Sequence, residues 1–300
     1  MSKVGLIGLG AMGSGMAGSL RRAGHSVQVF DVRREVAEAF AKDGGVAHDT
    51  LASLGAACDV VVSVVVNAAQ TEAVLFGDGT TPGCAASMKP GSVFVMCSTV
   101  DPNWSVTLEA RLEAMGLRYV DAPISGGAAK AASGQMTMMT AGKPEAYAVT
   151  EPFLNAMAAK VYKLGDSAGA GSKVKIINQL LAGVHIAAAA EAMALGLREG
   201  VDAEALYEVI THSAGNSWMF ENRMAHVLAA DYTPLSAVDI FVKDLGIVLD
   251  MARATKFPLP LSSTAHQMFM QASTAGFAKE DDSAVIKIFP GITLPEPIKQ

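Results

Sequence analysis

Short apolar runs alternate with longer stretches of helical spacing from residue 3 to about residue 165 of this 300-residue chain. Each run has the length and composition of a buried strand. The predicted strands are Val4–Ile7, Ser26–Phe30, Asp59–Val65, Ser92–Met96, Arg118–Val120, Gln135–Thr140 and Lys160–Lys163. Strands that alternate with helices in this way predict an α/β domain with a doubly wound parallel sheet.

The pattern changes after Gly165, where Ala, Leu and Ile dominate. Residues Ser172 to about Gly200 predict one long helix, apolar nearly all round, which we expect to be buried between domains or subunits. Further helices are predicted at Ala203–His212, Ser217–Ala229, Pro234–Thr255 and Ser262–Gly276. We therefore predict a sheet domain over residues 1–167 and an all-helical domain over residues 168–300, with an irregular tail from residue 290.

A glycine-rich turn follows the first predicted strand. Gly8, Gly10 and Gly13 have the G-x-G-x-x-G spacing, and a helix is predicted from Met12. This arrangement is typical of Rossmann-like domains, which place a nucleotide pyrophosphate at the N-terminus of that helix. Asp31 ends the second strand about 20 residues later, where an acidic side chain can bind the adenosine ribose hydroxyls.

The residues at the end of the second strand and just after it are compatible with either of two cofactors, NAD or NADP. The Asp31 carboxylate would repel a 2′-phosphate, which favours NAD, whereas Arg33 and Arg34 could pair with that phosphate of NADP. We predict NAD because the carboxylate stands at the tip of the strand.

The composition narrows the range of partners. The net charge of −6 and the pI near 5.5 argue against nucleic acid or an anionic membrane as a partner. The chain enters a strand almost at once, so we expect no signal peptide. We expect no membrane span either, because the most apolar stretch, Leu180–Ala190, is too short. Cys58, Cys84 and Cys97 show no metal spacing and fit a reducing cytoplasm, with Cys97 a buried core thiol.

The start of the long helix carries a group of polar side chains. Lys175, Asn178 and Gln179 stand at i, i+3 and i+4, so they share one face of an otherwise apolar helix. Lys175 can act as a general acid/base toward a substrate oxygen, because burial disfavours its charged form. Equally, it can bond to backbone carbonyls and serve only the fold. His185 on the same helix is predicted to be a core group.

Three further segments could carry chemistry. Ser125, Gly126 and Gly127 follow a strand and could cradle a carboxylate, or form an ordinary turn. Val66-Asn67 and Ser98-Thr99 follow neighbouring predicted strands, at the edge where α/β sheets bind ligands. Lys243-Asp244 lies within a helix, where a solvated ion pair is the default interpretation. No group of His, Asp and Glu has metal-ligand spacing, so no metal is predicted.

Taken together, these motifs resemble the β-hydroxyacid dehydrogenases, the group that includes 3-hydroxyisobutyrate dehydrogenase and tartronate semialdehyde reductase. The resemblance spans essentially the whole chain. The matching segments, in order, are Gly8–Gly13 with Met16, Asp121–Gly127, the Gly169-x-Gly171-x-x-x-Lys175-x-x-Asn178-Gln179 run, and Lys243–Leu245. One departure is Gln179, where the family commonly has a second asparagine.

The resemblance implies an NAD-dependent hydroxyacid dehydrogenase that is cytoplasmic and forms dimers or tetramers. Residues 1–167 would bind NAD, and residues 168–300 would bind the substrate and form the oligomer interface. It implies Lys175 as the catalytic residue and a substrate site that includes Ser125, Gly126, Gly127, Asn178 and Gln179. The implied cofactor residues are Gly8, Leu9, Gly10, Ala11, Met12, Gly13, Asp31, Val32, Arg33, Val65, Val66, Asn67, Thr99 and Lys243.

The stretch Ser213–Arg223 is similar to the branch of the family whose members oxidise L-threonate at C2 to 2-dehydro-L-erythronate. In that case Asn216 and Ser217 would bind the extra hydroxyls and Trp218 would wall the pocket. The alternative is that Trp218 and Phe220 are core residues. Other hypotheses are 3-hydroxyisobutyrate or tartronate semialdehyde as substrate, imine reduction, and a non-catalytic dinucleotide-binding scaffold. Lys175 argues against the last two, because those relatives lack the lysine.

Overall fold

The computed structural model describes residues 3–296. The chain divides into two compact units, Met1–Lys175 and Ile176–Gln300. The first unit contains β1 (Val4–Ile7), α1 (Ala11–Arg22), β2 (Val27–Phe30), α2 (Arg34–Lys42), β3 (Val46–Ala47), α3 (Leu51–Ala57), β4 (Val60–Ser63), α4 (Ala68–Phe76), β5 (Val93–Met96), α5 (Pro102–Ala114), β6 (Arg118–Asp121), β7 (Ile124–Ser125), α6 (Gly127–Ser133), β8 (Met136–Gly142), α7 (Pro144–Met157) and β9 (Ala158–Lys163).

A nine-stranded sheet organises this unit, in the order β3-β2-β1-β4-β5-β6-β8-β7, with β9 also paired to β8. The chain runs from β1 toward one edge through β2 and β3, then returns to continue on the other side of β1 through β4, β5 and β6. The order therefore reverses between β1 and β4, and ligands of α/β sheets bind at such a switch point.

Residues along each central strand alternate between two apolar cores. Val60 and Val62 of β4 belong to one core and Val61 to the other. All four residues of β4 are buried, as are those of β1 and β5. Burial on both faces is what a strand of a helix-covered parallel sheet requires, and it explains why these runs are continuously apolar.

The predicted doubly wound α/β fold is confirmed, with one difference in strand direction. The pairs from β3 to β6 are parallel, but β8 runs antiparallel to both β6 and β7. The two-residue strands β3 and β7 were not predicted, because so short a segment carries no periodicity.

The long helix α8 (Ala170–Arg198) starts in the first unit and continues into the second. Over residues 176–296 the regular elements are helical: α9 (Ala203–Thr211), α10 (Trp218–Ala229), α11 (Val238–Thr255), α12 (Pro260–Ala272), a π-helical turn at Ser273–Phe277 and a 3₁₀ segment at Asp282–Ile288. Residues 290–296 are irregular, as predicted, and residues 297–300 of the predicted tail lie outside the described residues.

The predicted start of α11 at Pro234 was wrong by four residues. The segment before Val238 is held in a non-helical form, because the Leu235 N–H donates to Asp281 Oδ2 at 3.1 Å and Ala237 forms a β-bridge with Asp281. Asp281 lies 46 residues further along the chain than Leu235, so no local pattern reveals this restraint.

Two predictions concern the long helix. Leu180–Ala190 alone is too short to cross a membrane, whereas the whole of α8 is long and apolar enough to do so by length and composition. Such helices also occur in protein cores, and Ile176, Ile186 and Ala190 of α8 are fully buried in the core of the second unit. His185, predicted to be a core group, is exposed, because the core-facing positions of α8 lie on either side of it.

Candidate active site

The glycine loop lies at the switch point of the sheet. Gly8 has φ +93°, which an L side chain rarely adopts, and its N–H donates to Phe30 O at 2.9 Å. A Cβ on Gly13 would stand 1.8 Å from Gly8 O, so the start of α1 packs directly on the turn. A Cβ on Gly10 would have no protein atom within 4 Å. The turn thus leaves open space at the position where a pyrophosphate must approach the backbone.

Asp31 directly follows β2, and its carboxylate is hydrogen-bonded to the glycine loop. Its Oδ2 accepts the Leu9 N–H at 2.6 Å, and its Oδ1 accepts the Arg33 N–H at 2.8 Å. Burial raises the pKa of Asp31, but the two backbone N–H groups and the Arg33 guanidinium outweigh it and leave that pKa below its usual range. The carboxylate is therefore ionised beside the glycine loop.

Both arginines after Asp31 are paired with carboxylates. Arg33 Nε lies 3.2 Å from Asp31 Oδ1, and Arg34 Nη2 lies 3.0 Å from Asp49 Oδ1. Arg34 Nε also bonds to Glu38 at 2.7 Å, while the neighbouring Val32 side chain is exposed. The positive charge of each arginine is thus offset within the protein.

The loops after β4 and β5 reach the same edge of the sheet. Ser98, buried after β5, donates to Val65 O at 2.8 Å and joins the two loops. Asn67 caps α4 by accepting the Gln70 N–H at 2.8 Å, and Gln70 in turn accepts the Val66 N–H at 2.8 Å. Thr99, the next residue along, is half-buried. Because parallel strands end at one edge, the residues predicted from β1, β2, β4 and β5 are brought together there.

The segment Ser125–Gly127 is also held near α1, the helix that follows the glycine loop. Ser125 ends β7, opposite Thr137 of β8, and Gly126 and Gly127 both have positive φ, at +139° and +76°. The helix α6 that follows packs closely on α1: a Cβ on Gly15 of α1 would lie 2.5 Å from the Ala132 nitrogen. The predicted carboxylate cradle and the glycine loop therefore belong to one packed layer.

The start of α8 is fixed by the carboxylate of Asp121. No local pattern in the sequence marks Asp121 as a functional residue. Asp121, fully buried at the end of β6, accepts the N–H groups of Gly169 and Ser172, each at 2.9 Å, and the Ser172 hydroxyl at 2.7 Å. Glu109 of α5 likewise accepts the Ala168 N–H at 3.1 Å. Burial raises the pKa of Asp121, and its hydrogen bonds only partly oppose this.

Lys175 follows Ser172 by three residues on α8 and is buried, with 7 % of its surface exposed. The close approach of α8 to the sheet is visible at Gly171, where a Cβ would lie 2.4 Å from Met139 O. Since Asp121 and Gly171 fix the first turn of α8, they also fix the point on α8 from which the Lys175 side chain extends within the first unit.

In the second unit the predicted polar residues form one hydrogen-bonded chain. Asn178 Nδ2 donates to Gln179 Oε1 at 3.1 Å, and Gln179 Nε2 donates to Asp244 Oδ2 of α11 at 2.6 Å. Asp244 also pairs with Lys243. The default interpretation of Lys243-Asp244 as a solvated pair is wrong, because Asp244 is 1 % exposed.

The residues around the start of α10 divide between surface and core. Ser217 caps α10 by accepting the Phe220 N–H at 3.0 Å, and Trp218 is 54 % exposed. Phe220, by contrast, is buried in the core of the second unit, so the core alternative holds for Phe220 and fails for Trp218. Asn216 donates to Thr211 O at 3.1 Å, and Arg223 forms a buried ion pair with Asp282.

The cysteines and possible metal ligands add little to the site. Cys58, Cys84 and Cys97 are free and buried, and burial raises the pKa of Cys97 to about 12, as a core thiol requires. Among residues 3–296, no three His, Cys, Asp or Glu side chains group closely enough to hold a metal ion.

A glycine loop at the switch point of a mostly parallel sheet, with an ionised carboxylate at the end of the next strand, defines a dinucleotide-binding protein. Residues 3–165 match the family model for the NAD-binding domain of 6-phosphogluconate dehydrogenase, and residues 169–289 match that for the NAD-binding of NADP-dependent 3-hydroxyisobutyrate dehydrogenase. The chain belongs to the β-hydroxyacid dehydrogenase family, and it is an NAD-binding oxidoreductase, as predicted.

Individual relatives match over nearly the full length. The chain is 67% identical to an L-threonate dehydrogenase from Cupriavidus necator, over 97% of each chain. It is 52% identical to an L-threonate dehydrogenase from Escherichia coli, over 97% of this chain and 96% of that one. A crystal structure named as a 3-hydroxyisobutyrate dehydrogenase from Salmonella typhimurium is 52% identical, with a TM-score of 0.92 over 96% of this chain and 100% of that one.

Proposed function

We propose that this chain oxidises the C2 hydroxyl of L-threonate to give 2-dehydro-L-erythronate, with NAD⁺ as the hydride acceptor. The observation that carries the proposal is the 67% identity, over 97% of both chains, to a relative named L-threonate dehydrogenase. The buried Lys175 supports the dehydrogenase chemistry, because a buried amine suits proton exchange with a reacting hydroxyl.

In this proposal Lys175 Nζ accepts the proton of the C2 hydroxyl while the hydrogen on C2 leaves with its electron pair. The nicotinamide supplies the hydride acceptor when it is bound. Ser125, Gly126 and Gly127 bind the substrate carboxylate, and Asn178 offers an amide to the substrate oxygens. Ser217 and Trp218 serve the far end of the four-carbon acid, where Ser217 still has its hydroxyl proton to donate after capping α10.

The cofactor contacts proposed here are those that the family resemblance implies, and the geometry of the sheet edge supports the ones in the first unit. The backbone from Gly8 to Gly13, including Leu9, Ala11 and Met12, holds the pyrophosphate, and Asp31 with Val32 and Arg33 holds the adenosine ribose. Val65, Val66, Asn67, Thr99 and Lys243 serve the nicotinamide half. NAD is preferred over NADP because Arg33 and Arg34 are already paired with carboxylates and Asp31 is ionised.

We further propose that the protein is a cytoplasmic homo-oligomer, a dimer or tetramer. One side of α8 exposes Val174, Ile177, Leu181 and Leu195, each between 42% and 62% exposed. Exposed large apolar side chains grouped on one side of a helix are typical of a protein interface. Light scattering on the wild type and on Leu181→Glu tests this: the charged variant should have the lower mass, and a monomeric wild type would contradict the proposal.

Substrate identity is tested by NADH formation with L-threonate, D-threonate, 3-hydroxyisobutyrate and glycerate. We expect L-threonate to have the highest kcat/KM. Turnover of 3-hydroxyisobutyrate alone would overturn the threonate assignment, and the name of the Salmonella structure makes that compound the sharpest competitor.

The role of Lys175 is tested with a matched pair of variants on α8. Lys175→Met should lower kcat by roughly 10²–10⁴-fold, the usual contribution of a general acid/base. Lys173→Met removes the same charge from an exposed position two residues away and should leave kcat unchanged. Equal activities of the two variants would remove Lys175 from the mechanism.

A further inference from the structure

Gln179 and Asp244 connect two residues with different proposed partners. On one side, Gln179 Oε1 accepts an N–H of Asn178, which we assign to the substrate. On the other side, Asp244 pairs with Lys243, which we assign to the cofactor. The bond from Gln179 Nε2 to Asp244 Oδ2, at 2.6 Å, joins the two halves across α8 and α11. We call Asn178, Gln179, Asp244 and Lys243 the amide–carboxylate chain.

The amide–carboxylate chain lies in apolar surroundings. Asp244 is 1 % exposed and lies next to Leu245 and near Phe241, both in the core of the second unit. Burying the Asp244 carboxylate costs much of what its hydrogen bond and ion pair return, so apolar side chains at positions 179 and 244 would hold α8 and α11 together as well. Stability alone therefore explains the amide–carboxylate chain poorly. Its bonds do, however, restrict the rotamers of the two side chains at its ends, Asn178 and Lys243.

We propose that Gln179 and Asp244 are positioning residues, which hold the Asn178 amide and the Lys243 ammonium in one fixed arrangement and so couple hydroxyacid binding to cofactor binding. The proposal rests on the roles given above to Asn178 and Lys243. It assigns Gln179 to the protein's own polar chain rather than to direct substrate contact.

The length of the Gln179 side chain is part of this arrangement. An asparagine at this position would be shorter by one methylene, or roughly 1.5 Å, and a bond of 2.6 Å to Asp244 Oδ2 would stretch beyond hydrogen-bond range. Gln179→Asn and Gln179→Met should therefore behave alike, because the first shortens the amide arm and the second removes the amide at nearly constant length.

The test measures two affinities separately on the full-length protein. The Kd of NADH is measured by fluorescence titration without any hydroxyacid, and the KM of L-threonate is measured at saturating NAD⁺. Gln179→Met should weaken both, each by about fivefold or more, the fold-change that corresponds to a lost hydrogen bond of about 1 kcal/mol. The factor by which saturating L-threonate changes the Kd of NADH should also move toward one, because this factor measures the coupling itself. Lys173→Met, on the exposed side of α8, should change neither. A Gln179→Met protein with raised KM and unchanged NADH Kd would overturn the proposal and make Gln179 a direct substrate ligand.

A charge swap distinguishes positioning from a general loss of structure. Gln179→Glu alone sets two carboxylates against each other and should weaken both affinities. Adding Asp244→Asn restores a bond between positions 179 and 244 with its polarity reversed, yet removes the ion pair between Asp244 and Lys243. The double variant should therefore recover the KM of L-threonate but not the Kd of NADH. Failure to recover that KM, with an unchanged thermal midpoint, would also overturn the proposal.

The two proposals can fail independently. If L-threonate is not a substrate, the activity panel shows it in the wild type, while the NADH titrations of the Gln179 and Asp244 variants still report on the link to Lys243. If Lys175→Met is inactive and the Gln179 variants bind NADH normally, the proposed function stands and the coupling does not.

Discussion

The Asp121 carboxylate caps the N-terminus of α8 by accepting both the N–H and the hydroxyl of Ser172, a residue 51 positions further along the chain. The same carboxylate lies four residues before Ser125, which begins the proposed carboxylate cradle. One buried side chain thus sets the start of the helix that carries Lys175, and its own backbone leads directly into the segment that ends in the cradle.

Replacing Asp121 with alanine should damage folding and catalysis together. The change leaves the buried N–H groups of Gly169 and Ser172 without their acceptor, which should cost about 2–4 kcal/mol of unfolding free energy from the lost cap and the unpaired donors. Because Lys175 follows Ser172 by one turn, kcat should fall as well. Urea unfolding and steady-state kinetics check the two effects, and Ser172→Ala, which loses one hydroxyl, should show a smaller version of both.

Replacing Asp121 with asparagine should have a pH-dependent effect. Since burial raises the pKa of Asp121 above 3.8, its ionisation lowers the stability of the folded state. That contribution is favourable below pH 3.8 and is lost as pH rises through the raised value. Asparagine can keep the same bonds if its amide donates to the Ser172 hydroxyl, and it does not ionise. The variant should therefore gain stability relative to the wild type between acidic and neutral pH, and a constant difference in urea unfolding would contradict this.

Two glycines of the loop should respond differently to the same substitution. Gly13→Ala places a methyl group 1.8 Å from Gly8 O and must push α1 off the turn, which should cost about 1–3 kcal/mol or more. Gly10→Ala meets no protein atom within 4 Å, so its thermal midpoint should stay close to that of the wild type. Its methyl group instead occupies the approach to the backbone, and the KM for NAD⁺ should rise. Equal thermal midpoints in the two variants would contradict this account.

Asp31→Asn should relax the choice of cofactor. Asparagine keeps an acceptor for the Leu9 N–H, but it removes the charge that repels a 2′-phosphate and releases Arg33 from its ion pair. The ratio of kcat/KM for NADP⁺ over NAD⁺ should rise by about tenfold or more, equivalent to about 1.4 kcal/mol. Arg34→Met is the control, because Arg34 is already engaged by Glu38 and Asp49 and should affect the ratio little.

Local patterns predicted what depends on local sequence. The strand Val4–Ile7 and the turn at Gly8 were predictable because the apolar run and the glycine spacing lie within a few residues. Asp121 capping Ser172 and Gln179 bonding to Asp244 were not, because these partners are 51 and 65 residues apart and neither residue has a pattern that names the other. The antiparallel direction of β8 is likewise set by its pairing with β6 rather than by its own residues.

The ion pair between Arg223 and Asp282 provides the last test, in the second unit. Asp282 is fully buried, and its Oδ2 accepts from Arg223 Nη2 at 3.1 Å, in parallel with a bond from Nε to Oδ1. Arg223→Met leaves a buried carboxylate without its cation, which should cost about 3–5 kcal/mol of unfolding free energy. Fluorescence of Trp218, in a Trp104→Phe background, reports the unfolding of this unit in urea.

The loss of unfolding free energy in Arg223→Met should depend on pH. Burial raises the pKa of Asp282 to about 7, although the charge and hydrogen bonds of Arg223 oppose the rise. For a carboxyl group with a raised pKa, the stabilising contribution is present below 3.8 and is lost as pH rises through about 7. Removing Arg223 favours the protonated form further, so Arg223→Met should be destabilised more at pH 8 than at pH 5. In Arg223→Met with Asp282→Asn the extra loss at pH 8 should vanish, and its persistence would mean that another group titrates with the fold.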